Sequence, residues 1–210
     1  MLYKYLWIAI PVHKHSKKGG TCKSMIRVGY QGLVNSFCHK AAEEFTKEYM
    51  YDVELVPFKN SCKVVEELKE FHIDYGVMAI RNSLAGDVLE TAIALRDNTI
   101  RIKDIIELEI NHCLFVKGDI CIDSVRNVYS HIQSLSQCKR NLMVKTKGVW
   151  QHEVACSSEA AENLSNNVYD ISNSAVICRR EAGEALGLKL LVEHMEDDIN
   201  NKTSFGLFKI

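Results

Sequence analysis

A chain of 210 residues that is 47% apolar and 25% charged can bury an ordinary core, as one large domain or as two lobes of about 100 residues each. Lys and Arg total 26 against 27 acidic residues and are scattered, so no phosphate-tracking surface for nucleic acid is expected. The eight cysteines carry neither a C-x-x-C pair nor short disulfide spacing, and several fall in apolar runs, which fits reduced, partly buried thiols in a cytoplasmic protein.

Residues 5–12 form an apolar run too short to span a bilayer, and the basic stretch after them has no small-residue cleavage pattern. No membrane partner is expected, and residues 1–24 are read as an extension outside the fold. A first strand is predicted over 26–30, then a helix capped by Ser36 in which Phe37, Ala41, Phe45 and Tyr49 recur every four residues. A second strand is predicted over 53–58, then a helix opened by Ser61 with Val64, Val65, Leu68 and Phe71 on one face. Residues 75–80 make a short continuous apolar run, the pattern of a strand buried on both faces of a parallel sheet.

The second half repeats the alternation. It predicts a long or broken strand over 104–116, strands over 125–129, 149–156 and 175–178, and helices over 131–142 and 158–164. A last helix over 179–186 is stopped by Gly187. The tail, 201–210, reads as a strand in which Thr203 opens an apolar alternation of Phe205, Leu207 and Ile210. The pattern implies an α/β fold of two lobes, 25–110 with 195–210 and 111–194, and a cleft between them where a ligand would sit. No residues follow Ile210 to build a C-terminal regulatory domain, so none is expected.

Four predicted strand-to-helix junctions carry hydroxyls or amides: Asn35-Ser36, Asn82-Ser83, Ser130-His131 and Ser157-Ser158. Capping alone accounts for any one of them, but helix N-termini also seat carboxylates and phosphates. Four such junctions at strand carboxyl ends point to a small anionic ligand. His112-Cys113, Cys38-His39 and His131 lack metal-ligand spacing, and Gly29-x-x-Gly32 is not a dinucleotide fingerprint, so neither a metal site nor a dinucleotide site is expected.

Several segments resemble the prephenate and arogenate dehydratase family. Gly29 to Gly32, with Ser36-Phe37 and Ala41-Ala42, looks like that family's opening motif, and 75–83 with Gly86 is similar to "DYGVVPIENSxxG". Residues 128–133 with Gln137-Cys138 are similar to "VYSHPQALAQC", 157–161 to "STxxAA", and Asn201 with Thr203 to Phe205 to "NxTRF". The resemblance runs in order over about residues 25–210. It implies a two-lobed, type II periplasmic-binding-protein-like fold and cofactor-free chemistry: loss of CO₂ and of a ring hydroxyl from a cyclohexadienyl dicarboxylate, giving an aromatic product.

The resemblance assigns Thr203 the catalytic part, and on physical grounds its hydroxyl donates a hydrogen bond to the departing oxygen. Ser36, Arg81, Asn82, Ser83, Ser130, Gln133, Ser157, Ser204 and Phe205 are the implied substrate-binding residues, and a homodimer is one assembly it admits. The motifs also depart from the family pattern. The arginine of "TRF" is Ser204, the glutamate of "ENS" is Arg81, and Arg81 is expected to face the same cleft and replace the lost cation. Two other readings therefore stand beside the dehydratase: a decarboxylase that leaves the ring hydroxyl in place, and a non-catalytic binder of a small carboxylate.

Overall fold

The computed structural model describes residues 25–47, 52–96 and 99–210. The expectations for residues 1–24 and for Tyr49 lie outside the described residues. Strand β1 (Ile26–Gln31) leads to helix α1 (Phe37–Thr46), then β2 (Val53–Phe58), α2 (Ser61–Lys69), β3 (Tyr75–Asn82), a two-residue β4 (Gly86–Asp87), α3 (Leu89–Ala94) and β5 (Arg101–Glu109). The second half runs β6 (Cys113–Val116), a 3₁₀ turn (Ile122–Ser124), β7 (Asn127–Ser130), α4 (Ile132–Gln137), α5 (Lys139–Lys145), β8 (Trp150–Glu153), α6 (Ser157–Ser165), β9 (Ser174–Cys178), α7 (Arg180–Ala185), β10 (Lys189–Val192) and β11 (Lys202–Lys209).

These strands form two sheets, ordered β2-β1-β3-β11-β5 and β10-β6-β9-β7-β8. β1 runs parallel to β2 and β3, whereas the last strand, β11, enters antiparallel between β3 and β5. This is the expected two-lobed α/β class. The inner strands of each sheet are covered on both faces, which explains the continuous apolar runs of β3, β6 and β9, whereas the edge strands β5 and β8 are largely exposed. Phe205 and Leu207 of β11 pack with Cys38, Ala41, Ala42 and Phe45 of α1, while Phe208 packs on the other face with Val64, Val65 and Leu68 of α2. In the second sheet Leu114 and Val116 face Leu135 and Leu142, while Cys113 and Phe115 face Ala160, Ala161 and Leu164.

Several expected elements change form. The helix opened by Ser61 has Asn60 as its cap and ends before Phe71, which takes φ +57° and is 76% exposed instead of joining the buried face. The expected strand over 104–116 is two strands in different sheets, and the helix over 131–142 divides at Cys138, whose ψ of 6° is not helical. The strand over 149–156 is confined to β8. Ile210 lies beyond β11 and is exposed, so the tail's buried alternation stops at Leu207, with Phe208 buried on the opposite face. Asn82-Ser83 opens a turn into β4 rather than a helix.

The chain crosses between the sheets twice, through 110–112 and through 193–201, and the crossings are bonded together. Ile110 N donates to Asn201 O at 2.9 Å, and Met195 N donates to His112 O at 2.8 Å. Met195 is fully buried in the core of the second sheet. Packing is close where α7 meets β6: a Cβ added at Gly183 would lie 2.6 Å from three carbons of the buried Phe115 ring. Gly183→Ala should therefore lower unfolding free energy by about 1–3 kcal/mol in urea denaturation; an unchanged midpoint would show that the ring can yield.

Candidate active site

A cavity of about 120 Å³ lies where the two sheets meet, large enough for a small molecule and too small for a polymer. From the first sheet and its helices it is lined by Gln31, Ser36, Phe37, Glu90, Thr203 and Phe205; from the crossover and the second sheet by His112, His131, Gln133, Gln137, Ser157 and Arg179. Thr203 and Phe205 are buried there because β11 presents alternate residues to one face, and Thr203 lies opposite Asn82 of β3.

The polar floor is a relay whose donors and acceptors are fixed from one end. Asn82 Oδ1 accepts from the backbone N–H of Leu84 and of Ala85, at 2.9 Å each, so Asn82 Nδ2 must be the donor. Its two protons are shared among Asn201 Oδ1 at 2.7 Å, Thr203 Oγ1 at 2.8 Å and the Lys202 carbonyl at 3.0 Å. Asn201 Nδ2 then donates to Gln137 Oε1 at 2.7 Å, and His112 Nε2 lies 2.9 Å from that same oxygen. Because Gln137 Oε1 can only accept, His112 carries its proton on Nε2 and presents a bare Nδ1. Thr203, accepting from Asn82, retains its own hydroxyl proton to give.

Of the residues singled out in the sequence, Ser36, Gln133, Ser157, Thr203 and Phe205 line the cavity. Asn82 and Ser130 sit one bond behind it. Ser130 Oγ donates to Ile177 O at 2.6 Å and lies 3.0 Å from Ser157 Oγ. Ser36 caps α1, accepting from His39 N, whereas Ser83 fastens the start of β11 by accepting from Lys202 N. Arg81 and Ser204 are opposite each other in register but outside the cavity lining. The Arg81 side chain is 70% exposed beside Asp87, and Ser204 Oγ reaches Glu107. The expected replacement of the lost cation by Arg81 within the cleft is therefore not the arrangement found.

The cation in the lining is instead Arg179, its side chain 12% exposed and held by Glu181 at 2.7 Å. Its signal in the sequence was its place directly after β9, at the carboxyl end of a buried strand. Glu90, His112 and Gln137 were also missed; an isolated acid in a short helix and a polar pair distant in sequence give no periodic signal. Glu90 is held by Ser61 N and by Gln31 Nε2. Among the described residues, the grouping that could hold a metal, Glu67, Glu70 and His72, is outside the cavity lining.

Burial lowers the pKa of His112, against the opposing influence of Gln137 and Glu196, and burial likewise lowers those of His131 and His39. All three are neutral at pH 7. Burial also pushes the Cys38 thiol up to about 12, so it is not a thiolate nucleophile.

The sequence profile of the prephenate dehydratase family matches residues 28–209. Arogenate dehydratase/prephenate dehydratase 2 of Arabidopsis thaliana, a chloroplastic protein, is 29% identical over 183 residues, covering 87% of this chain and 46% of its own length. The bifunctional chorismate mutase/prephenate dehydratase of Stutzerimonas stutzeri is 31% identical over 180 residues, covering 86% of this chain and 47% of its own. The chain thus spans about half the length of these relatives. A prephenate dehydratase structure from Arthrobacter aurescens has the same fold, with a TM-score of 0.74 at 20% identity over 88% of this chain and 60% of that one.

The buried neutral histidines set a pH dependence. A histidine whose pKa is lower when folded than when unfolded stabilises the fold above its ordinary value near 6.5, and this is lost as pH falls toward the folded pKa. Urea midpoints should fall between pH 7.5 and pH 5.5, and by less in His112→Asn; a midpoint that rises over this interval would contradict the assignment.

Proposed function

The chain belongs to the prephenate dehydratase family, and from that premise we propose that its cleft catalyses the decarboxylating dehydration of a cyclohexadienyl dicarboxylate, prephenate or its amino-acid counterpart arogenate. The carbon–carboxylate bond breaks, its electron pair completes the aromatic ring, and the ring hydroxyl departs, taking one proton to leave as water. The observation that carries this reading is that Thr203 lines the cavity and its hydroxyl accepts from Asn82 Nδ2, which leaves the hydroxyl its own proton to donate. Donation to the departing oxygen stabilises the charge that grows on it as the bond to carbon breaks.

Arg179 and the amino end of α6, which begins at Ser157, are the proposed seats for the substrate's carboxylates. Gln133 and Ser36 complete the polar wall, and Phe205 packs against the ring. The substitutions at Arg81 and Ser204 lie outside the cavity, which favours the dehydratase over a decarboxylase that retains the hydroxyl. The free thiols of Cys38, Cys113, Cys138, Cys156 and Cys178 support a reducing, cytoplasmic setting.

Incubation with prephenate and with arogenate tests the reading. Phenylpyruvate or phenylalanine is expected. A dihydro-hydroxyphenylpyruvate would mean decarboxylation alone, and full recovery of both compounds would mean a binder. Thr203→Ala should lower kcat by about 10²-fold or more with little change in ligand affinity. Arg179→Gln should raise KM by about tenfold or more; an unchanged KM would remove Arg179 from the site.

A further inference from the structure

His131 follows β7 and caps α4, and it lines the cavity, yet the bond breaking proposed above gives it no part. Two bonds set its orientation. Its backbone N–H donates to Ser157 Oγ at 3.4 Å, at the amino end of α6, and its Nδ1 accepts from Gln133 N at 3.3 Å. Burial lowers the pKa of the ring against the opposing influence of Glu90 and Glu153, and the ring is neutral. A neutral imidazole that accepts on Nδ1 carries its one proton on Nε2. Among the described residues nothing accepts from Nε2. Nor is Nε2 sealed in the core, since the one buried side-chain nitrogen or oxygen lacking a partner there is His112 Nδ1. With Nδ1 turned to the backbone of α4, the Nε2–H lies on the ring edge facing away from that helix, an accessible donor in the cavity wall.

Resting on the dehydratase reading, we propose that His131 is a substrate-binding residue whose neutral Nε2–H donates to the substrate carboxylate seated at the amino end of α6. The bond from His131 N to Ser157 Oγ fastens the histidine beside that seat, so ring and helix address one carboxylate. The departing ring oxygen is addressed from the other sheet, by Thr203 of β11. Loss of the Nε2 proton would leave an imidazolate, so His131 binds and orients and transfers nothing.

The charges around the cavity make such a donor necessary. Arg179, the one Lys or Arg in the lining, is shared with Glu181 at 2.7 Å. Glu90, also in the lining, is held by the neutral donors Ser61 N and Gln31 Nε2. Positive charge is therefore scarce where two carboxylates are to be seated. A carboxylate taken out of water needs its oxygens hydrogen-bonded, and with the guanidinium already engaged, neutral N–H groups must supply part of that bonding.

Two substitutions separate the two ring nitrogens. His131→Asn places an oxygen near Nδ1 and keeps the cap on α4, but offers nothing at the Nε2 position. His131→Gln reaches that position with an amide N–H. Calorimetric affinities for prephenate and arogenate, measured on Thr203→Ala protein so that turnover does not intrude, test the contact directly, with product detection on the unmodified protein alongside. Adding His131→Asn should weaken binding about tenfold with the urea midpoint unchanged, and His131→Gln should return it to within about threefold. Unchanged affinity in folded His131→Asn, or a His131→Gln variant as weak as His131→Asn, would overturn the proposal and leave the dehydratase reading standing if product forms. Absence of aromatic product from either compound, with binding still weakened by His131→Asn, would remove the dehydratase reading alone. Failure of both compounds to bind would remove both.

Discussion

The N–H groups of Leu84 and Ala85 both donate to Asn82 Oδ1, and this pair of bonds allows the buried side-chain amide one orientation. Reversing it would set two donors against two donors. Every later polar choice in the cleft follows, because reversing Asn201 or Gln137 would likewise set donor against donor. A tight turn after β3 thus fixes a hydroxyl on β11 and a ring nitrogen on the crossover, through side chains from 25 to 121 positions apart in the sequence. Inside a protein such a chain is stronger than its separate bonds in water, and costly when any member is left unpaired.

The same relay joins the lobes. Asn82 belongs to the first sheet, Asn201 and His112 to the two crossings, and Gln137 to the end of α4 beside the second sheet. With the backbone bonds of Ile110 and Met195, it ties both crossings at the floor of the cleft. The side chains above, Arg179 and Ser157 on one side and Ser36 and Thr203 on the other, are presented by elements packed into different cores. Their spacing is thus set by two separately packed cores that meet at a bonded floor.

Much of this was legible in the sequence where burial leaves a continuous apolar signature. β3 and β9 are buried strands that read directly as apolar runs. β10 was not read, because a four-residue strand at a sheet edge with a half-buried pattern offers too little periodicity. Phe71 was misplaced because helical spacing continues through it, while the backbone turns to a positive φ. The positions of Ser204 and Arg81 were more accessible than they looked: the period of two in a strand already sets Ser204 on the face opposite Thr203 and Phe205, and register pairs Arg81 with Ser204. Arg179, Gln137 and His112 became site residues only once the sheets brought distant strand ends together.

The claim that Asn82 makes Thr203 a donor is tested most directly by a double-mutant cycle on kcat. Asn82→Asp keeps the oxygen that accepts from Leu84 and Ala85 but replaces the donor with an acceptor, so the Thr203 proton turns toward it and away from the cavity. With all variants confirmed as folded, Asn82→Asp should lower kcat about as much as Thr203→Ala, and the double variant should lose no more than either alone, about 10²-fold. Multiplicative losses, about 10⁴-fold in the double variant, would show that the two residues act independently and would contradict the account.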